Sequence, residues 1–198
     1  MNRDADHGTD DPNDVLAADP DLGPVVAEHG PVELSPAEDL FERLVVSLIR
    51  QQVSMDAAAA IRERVFDRFE VTPAGMLAAD EAALHDAGLS EAKVEYVKAV
   101  AAAFDERGYD HDYFAGMSDA DVTTELTDIR GVGPWTAKMF LVFGLGRPDV
   151  FPVEDLGIRK GMVTLYDDDL TRGEMRDRAT AWAPYRSYAS QYLWQIAD

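Results

Sequence analysis

The chain has 198 residues, 46% of them hydrophobic, and a formal net charge of −20 from 38 Asp/Glu against 18 Lys/Arg. That length suits one compact unit or two small lobes with a real core, and no apolar run is long enough to cross a membrane. Zero cysteines exclude structural disulfides, zinc–thiolate sites and an iron–sulfur cluster, and the acidic opening MNRDADHGTDDPND has no apolar signal core, so a cytoplasmic protein is expected.

Strong acidity argues against a nucleic-acid partner, because phosphate binding normally shows as a basic surface. The charge, however, is unevenly spread. Residues 1–42 carry many carboxylates against Arg3 alone, whereas from Arg130 to Arg186 nine Lys/Arg balance eight Asp/Glu. An excess of Asp and Glu with few lysines also suits a cytosol of very high salt, where charge repulsion is screened over about 3 Å at 1 M. A halophilic origin is therefore expected, with phosphate contacts leaning on backbone N–H groups and bound cations.

In chain order, residues 1–20 are polar and acidic and are expected to be disordered. Gly23-Pro24 and Gly30-Pro31 keep any helix between Leu22 and Leu34 short. Ser35-Pro36-Ala37-Glu38 predicts a helix start, with Ser at the cap, Pro in the first turn and Glu at the third position. That helix runs to about Gln51, with Leu40, Phe41, Leu44, Val45, Leu48 and Ile49 inward. Ser54 caps the next, Thr72-Pro73 opens a short one, and Asp80 caps another that Gly88 stops. Ser90 opens a long helix closed by Gly108, and Ser118 with Asp121 forms a capping box. Asp155 stands where a helix begins, with Leu156, Ile158, Met162 and Leu165 as its apolar positions and Glu154 read as exposed. Thr171 begins a helix to about Ala183, and residues 186–196 read as the last. There is no period-2 strand, internal repeat or low-complexity tract, so the fold class is all-α.

The stretch LTDIRGVGPWTAKMFLVFGLGRPDVFPVEDLGIRK, Leu126 to Lys160, carries the chemistry. Gly131-Val132-Gly133 permits a tight turn with φ > 0 and close approach of a ligand, and Pro134 fits the first turn of the following helix. The reading is helix, hairpin, helix, with several N–H groups pointing one way as a site for a phosphate oxygen. Taken alone, Gly-x-Gly is only a turn and Asp155 only an N-cap.

GVGPWTAKMF followed by VFPVEDLGIRKG resembles the helix-hairpin-helix DNA glycosylases, and the branch it most resembles is 3-methyladenine DNA glycosylase II. Gln51-x-Val53-Ser54, Trp182-x-Pro184-x-Arg186-Ser187-Tyr188-Ala189 and Trp194 match in family order from about residue 36 to 196. The ordered set is far more specific than any one piece. The resemblance implies a two-lobed helical fold with a central cleft, in compact form. Residues 36–145 would be the central lobe with the hairpin, and residues 21–35 plus 146–198 the second lobe with the catalytic aspartate.

The resemblance also implies roles. Asp155 would be catalytic, its carboxylate stabilising the positive charge that C–N cleavage develops on the sugar and orienting or deprotonating the attacking water. Gln51, Trp135, Met139 and Trp194 would line the base pocket, the tryptophans stacking on a flipped base. Met139 stands where relatives often have tyrosine. Gln52, Gly131, Val132, Gly133 and Thr136 would contact DNA, with Gln52 at a wedge position where leucine is typical. The backbone carbonyls of Thr127, Ile129 and Val132 would hold a structural Na+ or K+, and catalysis would need no cofactor. Trp135 occupies the position of the lysine nucleophile of strand-cutting relatives, so a monofunctional enzyme is implied. Trp182 is read as core. The leading function is excision of alkylated purines (3-methyladenine, 7-methylguanine type) from damaged double-stranded DNA by a monomer, with no membrane association. The alternatives are the same fold on a deaminated or oxidised base, or a DNA-binding module without catalysis.

Overall fold

A computed structural model describes residues 11–197, and every regular element among them is helical. The first segment forms α1 (Pro12–Ala17) and α2 (Gly23–His29). Next come α3 (Leu40–Arg50), α4 (Met55–Arg68), α5 (Pro73–Ala78), α6 (Glu81–Asp86), α7 (Glu91–Arg107), α8 (His111–Ala115), α9 (Asp119–Thr127) and α10 (Pro134–Phe143). The chain ends with α11 (Leu156–Tyr166), α12 (Arg172–Ala179), a 3-10 turn (Thr180–Trp182) and α13 (Arg186–Gln195). These elements fall into two compact units. One is continuous, Ser35–Arg147; the other joins, among the described residues, 11–34 to 148–197.

In the continuous unit, α3 supplies the most apolar face. All six positions expected to point inward are buried, and each such side chain contributes about 1.5–3 kcal/mol relative to exposure. α3 packs on α7 and α10, α10 on α9, and α5 on α7. Side-chain caps set the starts: Ser54, Thr72, Asp80, Ser90 and Ser118 each accept from a first-turn N–H. The expected start at Ser35 is displaced. α3 is capped by Asp39, whose Oδ1 accepts from Glu42 N at 2.8 Å. Residues 35–38 are drawn instead into the chain beyond α10: Ala37 N–H donates to the Gly144 carbonyl at 2.9 Å, and the His111 ring nitrogen meets the Ala37 carbonyl at 2.8 Å.

The discontinuous unit has its own core, in which Leu16, Leu22 and Val26 pack with Val153, Ile158, Met162, Met175, Trp182, Tyr192 and Leu193. Residues 11–20, expected to be disordered, form α1 and its exit instead. Asp11 caps the helix, Leu16 is 1% exposed, and the Tyr192 hydroxyl donates to Asn13 Oδ1 at 2.6 Å. The burial of Leu16 and one part-buried polar clamp outweigh the acidic composition here. Residues 1–10 of that expectation lie outside the described residues. Trp182 is core as read, 1% exposed. Leu156 departs from the expected stripe: it is 59% exposed while Ile158 and Met162 are fully buried, because the position after the cap points away from the packed face.

Candidate active site

The hairpin follows α9. Ile129 N–H donates to Leu126 O at 3.1 Å and Val132 N–H to Ile129 O at 3.0 Å, so the turn closes on itself. The side chains of Leu126, Ile129 and Val132 are buried beneath it. Gly131 has φ +91, and a Cβ there would run into the Tyr96 ring; both the conformation and the close approach require glycine. Gly133 differs. Its φ is −98, and a Cβ there would meet nothing within 4 Å. Gly133 is the N-cap of α10 and has no side chain to cap it, with Pro134 behind it. The first turn of α10 thus presents its backbone N–H groups without a side-chain cap, an arrangement suited to an anion.

Gln51, at the end of α3, grips this hairpin. Its Nε2 donates to Gly131 O and to Thr136 Oγ1, both at 2.9 Å. Thr136, expected among the DNA contacts, is 1% exposed; its hydroxyl is spent on Gln51, so its side chain braces the turn. Met139, expected in the pocket wall, is 3% exposed. Trp135 is half-buried on the first turn of α10. Gln52 is exposed with φ +56, a left-handed conformation costing about 1–2 kcal/mol in a residue with a side chain. The turn between α3 and α4 therefore holds Gln52 outward at an energetic cost.

In the other unit, Asp155 begins α11. Its Oδ1 accepts from Ile158 N at 3.1 Å and from Trp194 Nε1 at 2.9 Å. Asp155 is an N-cap, as its position predicts, and is also tied to the last turn of α13. The approach to it is stitched down. Arg186 Nε and Nη2 donate to the two oxygens of Asp149 at 2.6 and 2.8 Å. Val150 N–H donates to Ser187 Oγ at 2.9 Å, and Ser187 N–H to Pro148 O at 2.9 Å. The Arg186 hydrogen bonds hold the Asp149 carboxyl below its ordinary value of 3.8. Phe151, Pro152 and Val153 are buried, and Arg159 Nη1 donates to Glu154 O at 2.6 Å. Glu154 itself, read as exposed, is only 24% exposed in its side chain and pairs with Arg176 at 3.7 Å. The Asp149–Arg186–Ser187 clamp went unassigned at the sequence level. Its signal was the Arg186-Ser187 pair inside the downstream motif, to which no role was attached.

A hairpin between two helices, a glycine-capped helix start and a cap aspartate after a Pro-containing loop define the class: a helix-hairpin-helix DNA-repair fold. The chain belongs to the HhH-GPD superfamily of base excision DNA repair proteins, whose pattern matches residues 45–184. It is 33% identical over 174 residues to the DNA-3-methyladenine glycosylase of Saccharomyces cerevisiae, covering 81% of this chain and 58% of that protein. Among solved structures it resembles the Schizosaccharomyces pombe 3-methyladenine DNA glycosylase Mag1 in complex with abasic DNA, with TM-score 0.86, 27% identity and coverage of 93% and 95% of the two chains. It also resembles a Bacillus halodurans DNA-3-methyladenine glycosidase, with TM-score 0.73, 32% identity and coverage of 92% and 91%. The chain spans about two thirds or less of the length of several curated relatives it matches. Among the described residues no helix is long and apolar enough to cross a membrane.

Proposed function

We propose that the protein is a monofunctional DNA glycosylase that removes alkylated purines of the 3-methyladenine and 7-methylguanine type from double-stranded DNA. The observation that carries this is Asp155, a carboxylate at a helix start whose Oδ1 is held by two N–H donors, at the position to which the motif resemblance assigns catalysis. Breaking the C–N glycosidic bond leaves positive charge on the sugar. A fixed carboxylate stabilises that charge and orients or deprotonates the water that attacks the anomeric carbon. The base departs with the bonding electrons, and the sugar keeps the water's oxygen as an abasic site.

The target nucleotide leaves the stack before this step. Backbone N–H groups of Gly131, Gly133 and the uncapped first turn of α10 hold a phosphate, with Val132 contributing the closed shape of the turn because its own N–H is donated to Ile129 O, and Gln52 stands outward to occupy the gap. Trp135 offers an aromatic face to a cationic alkylated purine, which gains from an electron-rich ring. The carbonyls of Thr127, Ile129 and Val132 are neutral oxygen donors of the kind that replace the hydration shell of a monovalent cation; Na+ or K+ held there would add attraction for phosphate. Because Trp135 stands where strand-cutting relatives carry a lysine, base release proceeds by water. The protein acts as a monomer in the cytoplasm, and its composition points to a halophile.

The test is a panel of duplexes, each with one modified base, incubated with the purified protein at high KCl. Release of 3-methyladenine and 7-methylguanine, with strands breaking only after alkali and no borohydride-trapped adduct, is expected, since a Schiff base needs an amine nucleophile. Release of only deaminated or oxidised bases transfers the assignment to another lesion. Binding without release from any duplex reduces the protein to a DNA-binding module.

A further inference from the structure

Two glycines inside α11, Gly157 and Gly161, stand one helical turn apart. Neither has a positive φ, and in a helix interior glycine is about 1 kcal/mol worse than alanine. Backbone conformation therefore gives no reason for them; packing does. A Cβ on Gly161 would run into the Leu193 carbonyl and lie 2.9 Å from Leu193 Cβ. A Cβ on Gly157 would lie 2.8 Å from Trp194 Cδ1, 3.2 Å from Trp194 Nε1 and 3.1 Å from Asp155 Oδ1. The two missing methyl groups let the end of α13 lie directly on the start of α11, and the one missing at Gly157 would otherwise crowd both partners of the Trp194–Asp155 hydrogen bond.

We propose that Trp194 is a positioning residue for Asp155. Its indole N–H, delivered by the glycine-lined contact between α11 and α13, fixes the carboxylate in the orientation that catalysis uses. The helix cap alone holds Oδ1 from one direction, through Ile158 N–H. The indole adds a second donor from the neighbouring helix, and a carboxylate oxygen held from two directions no longer swings about its side-chain torsion. A hydrogen bond to a charged group contributes about 1.5–3 kcal/mol, so its loss slows a step that depends on it by about 10- to 100-fold. This role asks for the indole nitrogen. Stacking on a base asks only for an aromatic face, which phenylalanine also has.

The catalytic consequence rests on the glycosylase reading above, whereas the bond itself is testable without substrate. In a 15N–1H correlation spectrum the three tryptophans give three indole signals, and Trp194→Phe identifies the one it removes. Asp155→Ala, which removes the acceptor, and Gly157→Ala are each expected to shift the Trp194 signal while the Trp182 signal, from the buried core, stays in place. In single-turnover release of 7-methylguanine at saturating enzyme, Trp194→Phe and Gly157→Ala are each expected to be about 10- to 100-fold slower. The double variant is expected to be no slower than the worse single one, because both remove the same bond. Affinity for a duplex with an abasic analogue is expected to change less than threefold. A Trp194 indole signal indifferent to Asp155→Ala overturns the proposal, as does full activity in Trp194→Phe. If the wild-type protein releases no alkylated purine while the indole signal responds, the positioning contact stands and the substrate assignment falls.

Discussion

Asp155→Asn separates a catalytic aspartate from a mere helix cap. In the structure Oδ1 is the acceptor for both Ile158 N–H and the Trp194 indole, and an asparagine Oδ1 can accept both. Asn and Asp cap with similar strength, so the folding cost is expected to stay below about 1 kcal/mol, a fall in Tm of about 2–4 °C for a chain of this size. The chemical step is affected differently. The substitution removes the negative charge opposite a cationic sugar, and loss of one preorganised electrostatic group costs about 10^2- to 10^3-fold in rate; loss of a full charge is expected to reach at least the upper figure. The assay pairs thermal unfolding with single-turnover release of 7-methylguanine from a labelled duplex, and adds a titration against an abasic analogue to show that binding is retained. An Asn variant releasing base within threefold of wild type would refute the catalytic assignment and leave Asp155 as a cap alone.

The hairpin glycines are expected to fail in different ways. Gly133→Ala, with nothing within 4 Å of the added Cβ, should leave Tm within about 2 °C and weaken binding to damaged and undamaged duplexes alike, read by fluorescence anisotropy. Gly131→Ala, at φ +91 and against Tyr96, should destabilise by about 1–3 kcal/mol in denaturant titration. For Asp149, the paired carboxyl titrates below its ordinary 3.8, so its stabilising share is fully present above that value and is lost as pH falls through the depressed one. Asp149→Asn should therefore lower Tm at pH 7, by an amount corresponding to about 1 kcal/mol, and the gap to wild type should close as the pH falls through the depressed value and the wild-type carboxyl takes up its proton. Activity and folding should both be better in molar KCl than at low ionic strength; an optimum in dilute buffer would remove the halophile proposal without touching the glycosylase one.

Helix starts were legible wherever a side chain does the capping locally. Ser54, Thr72, Asp80, Ser90, Ser118, Asp155 and Thr171 each cap the helix their sequence position announces. The misreading at Ser35 has a tertiary cause: the Ala37 N–H and carbonyl are engaged by Gly144 and His111, partners more than 70 residues away that no local pattern reveals. α1 and α8 have five or six residues each, too short for periodicity, and the acidic composition around α1 reads as disorder. In the site, residue types were readable but side-chain directions were not. Thr136 and Met139 lie on the helix that carries Trp135, yet both are buried, and the Thr136 hydroxyl is engaged by Gln51 in bracing the hairpin. Gln51 and Trp194 were marked as pocket residues, but their hydrogen bonds to Gly131, Thr136 and Asp155 depend on distances of 80, 85 and 39 residues along the chain.

The discontinuous unit sets an order of assembly. The continuous unit, Ser35–Arg147, can complete its core as soon as its own residues are made. Its neighbour cannot. α1 and α2 bury Leu16, Leu22 and Val26 against residues beyond position 150, and Asn13 waits for Tyr192. During synthesis from the N-terminus, those first helices stay without their partners until more than a hundred further residues have emerged. Asp155 acquires its second donor only when Trp194 arrives, within the last turn of α13. Loop closure over that separation is slow relative to local helix formation, so the unit that carries the carboxylate is the last to form, and a chain stalled before residue 194 has a complete hairpin but an unfinished acid site.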